Sequence, residues 1–182
     1  KHMTEFVQPF SGLDAITTAT PLTLIKEGKF THLTQLGLSY ADLFLGKRGG
    51  CLGEVCILAL LLGAVYLLCK RIISWQIPLG FIITTGGMSW VFGTQGWFKG
   101  DFLFSILSGG LILGAFFMAT DYVTSPLTKK GQLIFGVGCG LITFVIRKLG
   151  GYPEGVSYSI LMMNAVVPLM DRYVRPRIYG TK

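Results

Sequence analysis

The stretch from Asp14 to Leu22 places several hydroxyl groups after a single carboxylate. It reads D-A-I-T-T-A-T-P-L, with Asp14 six residues before Thr20 and with Pro21 fixing the backbone that follows. Taken alone, this pattern is typical of a helix N-cap or a Thr-rich turn.

Five polar side chains lie in or at the ends of long apolar runs. They are Glu54, Asp121, Glu154, Asp171 and Asn164. A charge at the centre of a bilayer costs about 2.5 to 3.5 kcal/mol or more, so each carboxylate is a candidate for an ion path. The alternative is an interfacial carboxylate that caps a helix or pairs with a basic loop. The amide of Asn164 needs a hydrogen-bond partner, which is either a neighbouring helix or a bound cofactor or ion.

No other catalytic or metal-binding arrangement stands out. His2 and His32 lie outside the apolar runs, and no nucleophile elbow, P-loop or H-E-x-x-H motif occurs. The cysteines form no C-x-x-C pair, and Cys51 and Cys56 would need two further thiolates to hold an iron–sulfur cluster. The sequence therefore predicts no metal centre.

The elements that must position these residues have a composition suited to lipid. Of 182 residues, 51% are hydrophobic and 14% are charged, whereas a soluble domain carries roughly 25% charged residues. The apolar runs are residues 52–69, 77–93, 102–120, 132–146 and 156–170. Since about 20 residues cross the hydrocarbon core of a bilayer, these runs predict an all-α integral membrane protein with about five transmembrane helices, some of them short. Glycines four residues apart, at Gly110/Gly114 and Gly136/Gly140, predict close contact between helices.

The sequence divides into three segments. Residues 1–51 contain no full span, residues 52–171 form the five-helix domain, and residues 172–182 form a basic tail. The first segment fits one amphipathic or re-entrant helix through Leu33, Leu36, Leu43, Phe44 and Leu45. The net charge of +7 suits loops beside anionic lipid and does not require nucleic acid. Lys and Arg are more frequent on the side of the C-terminus, which predicts a cytoplasmic tail and an extracytoplasmic N-terminal loop.

The Asp14 to Thr20 stretch resembles a flavinylation motif, D-x-x-S/T-G-A-S/T. That motif belongs to a membrane protein shared by two redox pumps, the B subunit of the sodium-translocating NADH:quinone oxidoreductase and the D subunit of the Rnf ferredoxin:NAD oxidoreductase. The resemblance implies that a flavin transferase joins FMN to Thr20 through a phosphoester. The neighbours that it assigns to the cofactor site are Asp14, Thr17, Thr18 and Ala19, of which Thr18 replaces the glycine of the motif. Relatives of the quinone-linked type also hold a non-covalent riboflavin.

Further segments resemble the same family in the same order. They are the glycine-rich residues 45–54, the M-A-T-D stretch at 118–126, and the R-x-x-G-x-Y-P-E-G and N-x-x-x-P-L-x-D segments that begin at Arg147 and Asn164. The resemblance covers the C-terminal half of the family. It therefore implies one repeat of a urea-transporter-like fold.

The resemblance is closer to the Rnf type. It implies an FMN-carrying subunit of a Na+ or H+ pump in the bacterial cytoplasmic membrane, which passes electrons between ferredoxin and NAD. The implied partners are the G subunit, which carries a second FMN, and the iron–sulfur membrane subunits. The alternative is a urea-transporter-like channel or small-solute transporter without a redox role, because one fold hosts both functions.

Overall fold

The computed structural model describes residues 22, 39–46, 53–93, 96–98, 100–152 and 154–174, most of which are helical. The helices are α1 (Tyr40–Leu45), α2 (Ile57–Cys69), α3 (Gln76–Val91), α4 (Phe102–Leu107), α5 (Leu111–Leu113), α6 (Lys129–Leu149) and α7 (Val156–Tyr173). A π-helical turn, Gly114–Met118, continues α5. Two short antiparallel strands, β1 (Phe92–Gly93) and β2 (Gly96–Trp97), form a hairpin after α3.

Each apolar run predicted from the sequence contains a helix, and the third run contains two. Its residues 102–120 are divided between α4 and α5 by a break at 108–110, whereas one span was expected. Among the described helices, α6 alone is long and apolar enough to cross a membrane by itself, while α2 is apolar but shorter. The predictions of about five transmembrane helices and of a urea-transporter-like repeat therefore stay predictions.

Glycines bring α3 and α6 into backbone contact. A Cβ atom on Gly136 would lie 2.5 Å from the Ile77 carbonyl oxygen, and one on Gly140 would lie 3.0 Å from the Phe81 carbonyl oxygen. The buried Thr85 hydroxyl donates to the same Phe81 carbonyl at 2.9 Å. The close contact predicted from Gly136/Gly140 is confirmed, because only a residue without a Cβ lets the two backbones approach so far.

The apolar core lies between α3, α5, α6 and α7. Its fully buried members are Ile77, Phe81, Leu111, Ala115, Ala119, Phe135 and Cys139. Large apolar side chains also cover the outer faces of the helices, among them Leu62, Val65, Leu133, Ile134, Val145, Leu161, Met162 and Leu169. An apolar exterior of this extent suits contact with lipid or with partner helices.

The described loops gather at two ends of the bundle, which α6 joins over its 21 residues. At one end the Tyr122 hydroxyl donates to the Ile72 carbonyl, and the Leu127 amide donates to Asp171 Oδ1 at 3.1 Å. We call this the Asp171 end, formed by residues 70–75, 121–128 and 170–174. The opposite Arg147 end is formed by residues 53–56, 100–110 and 147–155, of which 153 lies outside the described residues.

Candidate functional site at a broken helix

The centre of the site is the break between α4 and α5. The Ser108 amide donates to the Phe104 carbonyl at 2.8 Å, which ends α4, and the Gly110 carbonyl accepts from Gly114 at 2.8 Å, which starts α5. Between them Gly109 has φ +70, a left-handed conformation that glycine adopts without a Cβ penalty. The Ser-Gly-Gly sequence therefore ends one helix and starts another inside a single apolar run.

Arg147, in the last turn of α6, holds the end of α4. Its Nη1 donates to the Ser105 carbonyl at 2.7 Å, and its Nη2 lies 3.4 Å from the Ser108 carbonyl. The Ser105 hydroxyl is 2.8 Å from that of Ser89, which ties α4 to α3. Because the last carbonyls of a helix lack partners and carry partial negative charge, a guanidinium at this place satisfies them and stabilises the break.

Glu54 occupies the start of α5. It follows Gly53, whose φ of +94 turns the chain inward, and only 8% of Glu54 is exposed. Its Oε2 lies 2.7 Å from the position that a Cβ on Gly110, the N-cap of α5, would take. A carboxylate beside the unsatisfied amides at the beginning of a helix is electrostatically favourable. The break thus has a cation at its carbonyl end and an anion at its amide end.

Glu154 and Leu22 approach the same break from two other segments. A Cβ on Gly109 would lie 3.2 Å from Arg147 Nη2, 3.3 Å from Glu154 Oε1 and 3.5 Å from Leu22 Cδ2. Both Glu54 and Glu154 act electrostatically on the guanidinium. The structure therefore unites two carboxylates predicted from the sequence, although one hundred positions separate them.

A cavity of about 220 Å³ opens beside these carboxylates. Its lining residues are Glu54, Gly110, Leu113, Met118, Glu154, Val156, Ser157 and Tyr158. At the break, the buried Ser108 Oγ and Arg147 Nε have no hydrogen-bond partner among the described residues. The site therefore combines negative charge, a cavity and polar atoms with unused hydrogen-bonding capacity, which suits a cation, a proton or a polar segment of chain.

The other two predicted carboxylates lie at the Asp171 end. Asp171 accepts the Leu127 amide, and the exposed Asp121 lies 3.4 Å from the Thr124 hydroxyl. Both contacts are those of carboxylates that order a loop. The four residues predicted for an ion path are therefore divided into two pairs at opposite ends of the bundle.

Asn164 lies near the middle of α7. Its Oδ1 is buried and makes no hydrogen bond with any described residue. Among the described residues, this oxygen therefore does not join α7 to another helix, which was one of the two roles expected from the sequence. A buried amide oxygen is an acceptor for a donor such as a flavin ring N–H, or a ligand for a cation.

The predicted cofactor residues Asp14, Thr17, Thr18, Ala19 and Thr20 lie outside the described residues. No cluster of His, Cys, Asp and Glu that could hold a metal ion occurs among the residues that are described. Of the cysteines, Cys139 is buried and Cys69 is exposed.

Sequence reasoning missed Arg147 as a site residue, although Arg147 begins one of the family-like segments. It also missed Ser105, Ser108 and Gly109. The available signals were a guanidinium near the end of an apolar helix and a Ser-Gly-Gly triplet inside an apolar run. Their meaning depends on the contact between α4 and α6, which no local pattern encodes.

A family model described as "NQR2, RnfD, RnfE family" matches residues 1–180. The chain belongs to this family. The family predicted from the flavinylation-like stretch and the four downstream segments is thereby confirmed.

Individual relatives are similar to nearly the whole chain. The identity is 51% over 177 residues to the D subunit of the proton-translocating ferredoxin:NAD(+) oxidoreductase complex of Clostridium ljungdahlii, with 94% of this chain and 54% of the relative covered. It is 50% over 169 residues to the D subunit of the Na(+)-translocating ferredoxin:NAD(+) oxidoreductase complex of Acetobacterium woodii, with 92% and 50% covered. The D subunit of the ion-translocating oxidoreductase complex of Citrobacter koseri is 42% identical over 175 residues, with 93% and 49% covered. The chain spans about half the length of these relatives.

The break between α4 and α5 leaves helix-end carbonyls and amides that need partners. Arg147 donates to the Ser105 carbonyl at the end of α4, Glu54 lies beside the start of α5, and a cavity lies next to them. In membrane proteins the ends of broken helices often form ion or substrate sites.

Proposed function

We propose that this chain is the part of a membrane-bound oxidoreductase subunit that carries covalent FMN and takes part in redox-driven ion translocation. The observation that carries the proposal is the identity of 51% and 50% to relatives named as D subunits of ion-translocating ferredoxin:NAD(+) oxidoreductase complexes. The donor and acceptor would be ferredoxin and NAD, with the NADH:quinone type as the less favoured member of the family. Expected partners are the G subunit with its second FMN, the iron–sulfur membrane subunits and, during maturation, a flavin transferase.

FMN would be esterified to the Thr20 hydroxyl and would supply one-electron and two-electron transfer when bound. Two observations beyond the flavinylation-like motif support a flavin here. Leu22, two residues after Thr20, has its Cδ2 3.5 Å from the position that a Cβ on Gly109 would take, beside the break where Ser108 Oγ and Arg147 Nε lack a hydrogen bond within the described part of the chain. The buried Asn164 Oδ1 offers a further acceptor. A non-covalent riboflavin is a second cofactor to be sought in the same preparation.

The decisive experiment is peptide mass spectrometry of the purified complex. The Thr20 peptide should carry the mass of FMN, and Thr20→Ala should abolish that mass and the flavin fluorescence of the denatured chain. Thr128→Ala, a hydroxyl removed far along the chain, should leave the adduct unchanged. An adduct on Thr17 or Thr18 would refute the Thr20 assignment, and a colourless chain from a host with the transferase would favour the channel function.

The ion path is proposed to use the cavity between Glu54 and Glu154, with Asp171 and Asp121 at the opposite end. Carboxylates held near hydrocarbon are stable when they meet a cation or a proton, and hard oxygen ligands suit Na+. The relative named for protons and the relative named for Na+ are almost equally similar to this chain. Overall similarity therefore does not determine the ion, and both ions must be measured.

Transport in vesicles that contain the complex tests this path. Glu54→Gln and Asp171→Asn should keep the flavin content but lower ion uptake per electron transferred, because each removes a charge that a passing cation would meet. The control is Asp42→Asn, which changes a carboxylate that caps the short helix α1 through the Ser39 amide. Unchanged uptake in both test variants would make these carboxylates structural and direct the search to partner subunits.

The N-terminal loop with its flavin is proposed to lie outside the bacterial cytoplasmic membrane, and the basic residues 172–182 inside. The support is the larger number of Lys and Arg residues on the C-terminal side. Lys70, Arg71, Lys129 and Arg172 all belong to loops or helix termini that the structure gathers near the Asp171 end.

A further inference from the structure

The Asp171 end carries more positive charge than its described carboxylates balance. Five exposed cations lie there or at the adjoining start of α6, against the two carboxylates of Asp121 and Asp171. The cations are Lys70, Arg71, Lys129, Lys130 and Arg172. Asp171 already accepts the Leu127 amide at 3.1 Å. The described surface of this end therefore has an excess of three positive charges.

Three of these cations occupy positions that the backbone disfavours. Lys129 and Lys130 are the first two residues of α6, whose first turn contains no acidic residue. Because the N-terminus of a helix carries partial positive charge, two lysines there are electrostatically unfavourable. Arg71 has φ +55 directly after the C-cap of α2, a place usually taken by glycine. Residues that break local rules in this way often belong to a functional surface.

Exposed apolar side chains lie among these charges. Val123 and Leu127 are 88% and 84% exposed, in the loop 121–128. Two hydrogen bonds hold this loop against its neighbours, from the Tyr122 hydroxyl to the Ile72 carbonyl and from the Leu127 amide to Asp171. More than half of each of three aromatic side chains at this end is also exposed, namely Trp75, Tyr122 and Tyr173. We call the five cations and these five apolar and aromatic side chains the cationic surface.

Cations beside exposed apolar and aromatic side chains suit the boundary of a membrane. There lipid phosphates meet Lys and Arg, Trp and Tyr lie at the level of the headgroups, and apolar side chains reach the acyl region. The family consists of subunits of a membrane complex, so acyl chains are present beside the bundle. An acidic protein would match the charges but would also have to supply an apolar pocket for Val123 and Leu127.

We propose that the cationic surface binds the headgroup of an anionic phospholipid. Lys129 and Lys130 contact its phosphate, and Val123 and Leu127 contact its acyl chains. The lipid phosphate thereby compensates the positive charge at the start of α6. This binding goes beyond the proposed function, because it requires neither FMN nor a particular transported ion.

The test is native mass spectrometry of the purified complex after addition of phosphatidylglycerol or of phosphatidylcholine with the same acyl chains. Lys129→Gln and Lys130→Gln should each weaken binding of phosphatidylglycerol about fivefold, the usual effect of one cation near an anionic membrane surface. Both variants should bind phosphatidylcholine like the wild type. The matched control is Lys148→Gln, at an exposed lysine near the other end of α6, which should change neither affinity.

A second pair of variants tests the acyl contacts. Val123→Ser and Leu127→Ser should weaken the two lipids alike, because the acyl chains are common to both. Leu149→Ser, at a leucine that is 79% exposed near the Arg147 end, should leave in place the lipid that Lys129→Gln loses. Salt should weaken phosphatidylglycerol binding in the wild type more than in the variant with both lysines replaced, because exposed charges are screened.

The outcomes that overturn the proposal are distinct. Wild-type affinity for phosphatidylglycerol in both lysine variants overturns it, as does an equal loss in Lys148→Gln. Displacement of the lipid by an equal concentration of inorganic phosphate would make this a site for the free anion. Loss of another subunit from the lysine variants, with lipid binding unchanged, would assign the surface to a protein partner. If one lysine variant fails to assemble, the other still decides the result.

Discussion

The two ends of the bundle each hold a pair of predicted carboxylates, yet they use them differently. At the Arg147 end, Glu54 and Glu154 surround a guanidinium, a helix break and a cavity. At the Asp171 end, the carboxylates of Asp171 and Asp121 contact nearby loop groups, an amide and a hydroxyl. Acidic residues at the ends of apolar runs thus have two distinct roles in one chain.

The difference follows from the backbone at each end. The Asp171 end is closed by the start of an intact α6, where Thr128 caps the Gly131 amide, although the buried Gln132 Oε1 there makes no hydrogen bond with any described residue. The Arg147 end contains a broken helix whose carbonyls and amides need partners from distant segments. Glu54 is buried at the interrupted helix and Asp121 is exposed at the opposite end, while Glu154 and Asp171 are both half-buried.

The sharpest test of the comparison is whether the two ends face opposite sides of the membrane. Cysteine would replace Gly151 at the Arg147 end or Val123, which is 88% exposed, at the Asp171 end, in a background without native cysteines. If the charge-based orientation holds, a membrane-impermeant thiol reagent should label Gly151→Cys in intact cells and Val123→Cys only after permeabilisation. Rapid labelling of Val123→Cys in intact cells would reverse the topology.

The largest effect on stability is expected for Arg147→Gln. It removes the hydrogen bond from Arg147 Nη1 to the Ser105 carbonyl and the positive charge that acts on Glu54 and Glu154, and a hydrogen bond to a charged group is worth about 1.5 to 3 kcal/mol. Thermal unfolding of the purified complex in detergent measures it, and Arg147→Lys should lose less because the charge is kept.

The matched control is Arg172→Gln on the exposed surface of the Asp171 end, which should stay within about 0.5 kcal/mol of the wild type. If Arg147→Gln and Arg172→Gln lose equal amounts of stability, the two ends do not differ energetically.

Two glycines, one at each end, would place an added Cβ equally close to a neighbouring side chain. A Cβ on Gly110 would lie 2.7 Å from Glu54 Oε2, and one on Gly131 would lie 2.7 Å from Thr128 Oγ1. Gly110→Ala displaces a buried carboxylate and should cost about 1 to 3 kcal/mol. Gly131→Ala displaces a hydroxyl and gains up to about 1 kcal/mol of helix propensity, so its net cost should be smaller. An unfolding midpoint that is lower for Gly131→Ala than for Gly110→Ala would contradict the assignment of the buried charge to the Arg147 end.

Much of the helix pattern could be predicted from the sequence because it is local. The apolar runs gave the positions of α2, α3, α6 and α7, and the Gly136/Gly140 spacing gave the contact with α3. Glu54 and Glu154 were also recognisable, since a carboxylate beside an apolar run is chemically conspicuous.

The arrangement of the site could not be predicted because it is not local. Arg147 caps a helix that lies about forty residues earlier in the chain. Glu54 lies beside Gly110, although more than fifty residues separate them in the sequence. The run 102–120 also has enough apolar residues for one span, whereas the structure divides it into α4 and α5 at a break where Gly109 has φ +70. The roles of Asp171 in ion coupling and of Thr20 in flavin binding stay predictions.

The smallest predicted effect concerns how the Asp171 end is built. Thr128 is the N-cap of α6, and its Oγ1 accepts the Gly131 amide at 3.0 Å. Thr128→Ala should cost about 1 kcal/mol, the usual value for a lost cap, and should leave flavin content and ion uptake unchanged. The control is Thr124→Ala, because the Thr124 hydroxyl makes one long contact, 3.4 Å to Asp121, and its loss should be near zero. If Thr128→Ala instead lowers ion uptake while unfolding normally, the start of α6 belongs to the ion path together with Asp171.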